Sequence, residues 1–164
     1  MTARKWLGLA LTIATGLAGG CSGNGTAPDV AAVVEGTKIP AAETEALLES
    51  HVRNELAQAG SNSGEFDGGR KQTLTHFVLL YQIKHALLRH LAQDMNVTAE
   101  TSGLTPEAAA GRLSETMARR LFPDIGDGER QGRFMEWFDG RLRSARVRVD
   151  GHFGRWDSGR GVVQ

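Results

Sequence analysis

The chain has 164 residues, 40% of them apolar, with 19 basic against 19 acidic side chains and so no net charge. That length suits one ordinary domain with a leader rather than two domains, and the composition excludes wholesale disorder. The missing basic surplus argues against a nucleic-acid binder, and a single cysteine excludes an internal disulfide and any Cys-rich zinc site.

The first segment reads as an address. Arg4 and Lys5 are followed by an uncharged apolar run, Trp6 to Leu17, too short to span a bilayer. Small residues Ala18-Gly19-Gly20 then lead to Cys21, the single cysteine. This arrangement resembles the leader of bacterial lipoproteins, which is cut just before a cysteine that carries thioether-linked lipid. The usual motif has Leu three residues before the cysteine; here Ala18 holds that place and Leu17 lies one further back. The resemblance implies a signal peptide over residues 1–20, lipid attachment at Cys21 and a location on the outer face of the cell membrane. An ordinary secretory leader that leaves a free thiol is the alternative. Residues 21–29, small and polar, read as a flexible tether.

The run Val30 to Val34 is apolar and β-branched, and Glu35-Gly36 before Thr37-Lys38-Ile39 is a hairpin signal. Pro40 suits the first turn of a helix reaching about Ala59, with Leu47, Leu48, Val52 and Leu56 on its apolar side. Glu43, Glu45, Glu49, Arg53 and Glu55 fall on the wet side. The Gly- and Ser-rich stretch 60–69 breaks that helix.

The spacing predicts a long helix over Arg70 to Asn96. Leu74, Phe77, Tyr81, Leu88, Leu91 and Met95 form its stripe, widened by Leu80, Ile83 and Leu87. Thr105-Pro106-Glu107 starts a third helix, with Leu113, Met117 and Leu121 inward, that stops at Phe122-Pro123. A turn at 124–128 precedes a last helix from Glu129 to about Ser144, which carries Phe134, Trp137, Phe138 and Leu142 on one face. Gly132 and Gly140 inside it cost about 1 kcal/mol each against Ala, so this helix must be docked to persist. Residues 145–150 alternate apolar and charged side chains as a half-buried strand does, and their natural partner is Val30 to Val34. Gly151 to Gln164 shows no period and reads as an extended tail pinned by Phe153 and Trp156. The expected fold is mainly α, closed by a small antiparallel β-ribbon joining the N- and C-terminal strands.

The order strand, Glu-Gly turn, helix, long helix, helix, strand resembles the N-terminal chaperone module of periplasmic foldases of the SurA and PrsA kind. The likeness rests on Val34-Glu35-Gly36-Thr37-Lys38-Ile39, on Pro40-Ala41-Ala42-Glu43, on the Leu-rich piece Gln72 to Thr98, and on the closing segment Val147 to Asp157. That last segment is similar to the end of actinobacterial lipoproteins bearing this module. The resemblance covers most of residues 30–157, leaving 158–164 as a tail. Full foldases of this kind add a parvulin prolyl-isomerase domain, for which the 33 residues 97–129 leave no room. The likeness therefore implies a chaperone-like module without isomerase chemistry, binding unfolded or newly secreted polypeptides. The alternative is an assembly lipoprotein holding one fixed partner in the cell envelope.

Nothing in the pattern calls for catalysis or a cofactor. His85 and His90, five residues apart, are turned about 500° from each other and do not share a helix face. His76 is two turns from His85, and His51 and His152 have no ligand spacing around them. Asp124 to Glu129 lacks the register of a calcium loop and reads as a turn and cap. No nucleophile elbow or phosphate loop is present. A client groove, if the domain has one, is expected from Phe77, Tyr81, Met117, Phe134, Trp137 and Phe138, whose rings and thioether are otherwise core.

Overall fold

The computed structural model describes residues 28–59 and 68–164. The expected leader, Cys21, the tether up to residue 27 and most of the 60–69 break lie outside the described residues.

β1 (Val30–Val34) and β2 (Thr37–Pro40) pair antiparallel across the Glu35-Gly36 turn. Both turn residues have positive φ, 46° and 85°. This is the mirror-image turn whose twist matches that of the strands, and Gly36 adopts it without a Cβ penalty. β3 (Val147–Val149) pairs antiparallel with the other side of β1, Val34 opposite Val147 and Ala32 opposite Val149. The sheet order is therefore β2-β1-β3. The two ends of the domain do meet in one ribbon, with the first strand in its middle. Pro40 ends β2 instead of opening the helix, which begins one residue later.

Among the described residues four helices follow: α1 (Ala41–Ala59), α2 (Gly68–Asp94), α3 (Pro106–Leu121) and α4 (Asp127–Ser144). α2 ends where Asn96 takes a left-handed φ of 50°, and the Val97 N–H donates back to the Ala92 carbonyl at 2.8 Å. α3 is capped by the Thr105 hydroxyl, which accepts from the Ala108 N–H at 3.3 Å, with Pro106 in the first turn. The turn between α3 and α4 is clipped by Arg130, whose guanidinium donates to the Phe122 and Ile125 carbonyls and to the Asp127 carboxylate. That side chain explains why 122–127 folds as a turn and cap.

α2 is the axis of the molecule, packed on α1, α3, β1, β2 and the C-terminal hairpin. Its buried side is Val78, Leu79, Gln82, Ile83, Ala86, Leu87, Leu88, Leu91 and Ala92. The expected stripe is rotated from this: Phe77 is 58% exposed and Tyr81 only half-buried. A helix apolar over so wide an arc is oriented by its neighbours, and these converge on Leu79 and Ile83. α4 docks as Gly132 and Gly140 in its interior require, burying Phe134, Phe138 and Leu142.

The C-terminal segment departs from the expected tail. β4 (Trp156–Asp157) and β5 (Val162–Val163) form an antiparallel hairpin. Phe153 and Val163 both enter the main core, at 3% and 7% exposure. Residues 158–164 thus belong to the packed domain. Asp157 turns the hairpin, its carboxylate accepting from the N–H and the guanidinium of Arg160.

Candidate functional site

α1 and α2 run antiparallel: Thr44 meets Gln82, His51 meets Phe77, and Glu55 meets Arg70. The near end of this helical pair stands on the sheet and is tied by one buried polar contact. The Thr44 hydroxyl donates to Gln82 Oε1 at 2.7 Å. Farther out, α1 has the sheet no longer beside it and its apolar residues open to solvent.

There an open groove of about 910 Å³ runs along the pair. α1 contributes Glu45, Leu48, Glu49, Val52, Arg53 and Leu56; α2 contributes Gly68, Lys71, Gln72, Thr75 and His76. The loop Gly151–Gly154 closes its sheet end, with Phe153 beneath. Leu48 is buried, Val52 half-buried and Leu56 39% exposed, so the apolar floor becomes more open toward the far end. The loop sits tightly: Gly154 has φ +126°, and a Cβ there would stand 2.6 Å from the Gln164 carbonyl and 3.0 Å from His76 Nε2. The C-terminal hairpin therefore backs the loop that builds one wall of the groove.

The six residues expected to line a client groove do not share an open surface, and this corrects the expectation. Met117, Phe134 and Phe138 are sealed in the core at 0%, 1% and 6% exposure. The Phe134 and Phe138 rings stack at 6.0 Å, and Trp137 lies half-buried 5.7 Å from Phe134. The physical reason is the cost that the glycines of α4 impose: its aromatic face is what holds that helix in place. Tyr81 is taken up by a polar contact, its hydroxyl donating to Glu107 Oε1 at 3.0 Å, with the His85 ring 4.0 Å away. Burial, and then the Glu107 carboxylate, push the Tyr81 phenol up to about 12. Glu107 is held below the ordinary carboxylate range by its own backbone N–H, then by Tyr81 and Thr105. Burial lowers His85, with Arg89 acting the same way. Phe77 is open, but it stands edge-on to His51 at 6.3 Å and does not line the groove.

Among the described residues, no three His, Cys, Asp or Glu side chains converge as a metal site, and no helix is long and apolar enough to cross a membrane. No family model, curated protein or solved structure matches this chain.

The floor of the groove was hidden in the sequence because Leu48, Val52 and Leu56 look like an ordinary core stripe. Steps of four residues drift about 40° around a helix, so the stripe turns steadily away from its first neighbour. That drift, with polar residues crowding the second half of α1, is the signal that could have marked an incompletely covered face.

Proposed function

We propose that this chain is a membrane-tethered, non-catalytic chaperone-like module of the SurA N-terminal kind, holding apolar segments of unfolded or newly secreted polypeptides. The observation that carries the reading is the open groove between α1 and α2, with its apolar floor of Leu48, Val52 and Leu56 and its charged rim. An exposed apolar surface in a domain of this size calls for a use, and short apolar segments match its dimensions. The leader pattern supports the tether: lipid on Cys21 would keep the groove at the outer membrane face, where translocated chains emerge unfolded.

The test is suppression of aggregation of a chemically unfolded model protein by the full chain. Protection that Leu56→Asp and Val52→Asp abolish, with the fold retained by circular dichroism, supports the reading; no protection at molar excess rejects it. Metabolic incorporation of a palmitate analogue that Cys21→Ser removes tests the tether.

A second reading, an assembly lipoprotein with one fixed partner, is favoured by Phe77. This ring is 58% exposed on the helical pair yet outside the groove. Cross-linking in membranes separates the two readings: one stoichiometric partner lost in Phe77→Ser supports the second, many substoichiometric clients the first.

A further inference from the structure

The charges around the groove are sorted along its length. Glu45 and Glu49 stand toward the sheet end and Arg53 and Lys71 toward the far end, with Leu48 and Val52 of the apolar floor between Glu45 and Arg53 and Leu56 beyond them. On α3 and α4 several acids and bases pair locally, as Arg119 does with Glu115 and Arg133 with Glu129. Among the described residues, Glu45, Glu49, Arg53 and Lys71 join no ion pair, although Glu49 and Arg53 have the four-residue spacing that favours one.

We infer that the groove selects polypeptide segments carrying one basic and one acidic residue on either side of a short apolar stretch. The basic residue lies at Glu45 and Glu49 and the acidic one at Arg53 and Lys71. This rests on the polypeptide-binding reading above and specifies its substrate. Eight residues of helix separate Glu45 from Arg53, about 12 Å, which an extended peptide covers in roughly four residues. A segment with two like charges meets repulsion at one end, whereas a mixed segment meets attraction at both. The peptide enters in either chain direction because side-chain charge, not backbone polarity, is what the rim reads.

Three acetylated and amidated peptides with one Leu-Val-Leu centre test this by fluorescence anisotropy with the full chain. One carries Lys and Glu at its two ends, one Lys at both, one Glu at both. The mixed peptide binds tightest at low salt, by roughly fivefold for two exposed charge pairs, and the margin shrinks as salt rises. In Glu45→Lys/Glu49→Lys, a surface change that leaves the core untouched, the peptide with two Glu becomes the tightest. Equal binding of all three by the native chain, or an unchanged order in the double variant, overturns charge selection while leaving apolar peptide capture standing. Binding of none overturns capture itself, and charge selection with it.

Discussion

Glu35 and Arg146, 111 residues apart, close the domain with three hydrogen bonds. The Glu35 carboxylate accepts from the Arg146 N–H at 2.8 Å and from its Nε at 2.9 Å, while the Glu35 N–H donates to the Arg146 carbonyl at 3.0 Å. The β1–β2 turn is thereby fastened to the start of β3. Glu35 is consequently held below its ordinary value of 4.5, first by the Arg146 N–H and then by the guanidinium, against an opposing effect of burial.

A carboxylate whose folded-state value is depressed adds stability that is complete above its unfolded value and disappears as pH falls through the folded one. The native chain therefore loses a contribution as pH drops below 4.5 that Glu35→Gln never has. Urea midpoints of the two proteins should differ near neutrality and converge in acid. Parallel curves down to the acid transition would contradict the assignment.

The Thr44–Gln82 contact is the buried polar link between α1 and α2, with both residues under 10% exposed, at 0% and 7%. Among the described residues, the Gln82 Nε2 has no partner of its own. Thr44→Val strips the remaining hydrogen bond from a buried amide and should cost about 1–3 kcal/mol. Thr44→Val/Gln82→Leu, which removes both polar groups, should recover most of that loss. Chemical denaturation of the two variants measures the difference, and a double variant weaker than the single would refute it.

Glycine-to-alanine changes should act with opposite signs at two kinds of site. A Cβ at Gly132 or Gly140 meets nothing within 4 Å, and both residues lie inside α4. Gly132→Ala/Gly140→Ala should raise stability by about 1–2 kcal/mol through helix propensity. At Gly154 the same change forces a left-handed backbone and a Cβ within 2.6 Å of the Gln164 carbonyl. It should loosen the C-terminal hairpin, lower the melting temperature and expose amides of 155–164 to hydrogen exchange.

Core and groove should also separate cleanly. Phe138→Ala empties a packed position and should cost about 3–5 kcal/mol, whereas Leu56→Ala, at 39% exposure, should leave thermal stability within about 0.5 kcal/mol. Peptide affinity should respond in reverse, falling in Leu56→Ala and holding in whatever fraction of Phe138→Ala remains folded. Titration of both variants with one labelled peptide checks this.

Local patterns were enough to place the Glu35-Gly36 hairpin, the Thr105 cap, the four helices and the strand at 147–149, because each depends on neighbours within a few residues. Period-two alternation and the shortage of other strands also pointed to the pairing of β3 with β1. The facing of α2 was not legible, since an apolar arc that wide is compatible with several rotations until α1, α3 and the sheet are packed on it. Nor was the fate of 158–164: Val162 and Val163 carry no period, and only the seat beside Gly154 and His76 makes them a strand. The groove belongs to tertiary structure altogether. Leu48, Val52 and Leu56 are the same residues whether covered or bare, and it is the end of the sheet's reach along α1 that lets them pass from buried Leu48 to exposed Leu56.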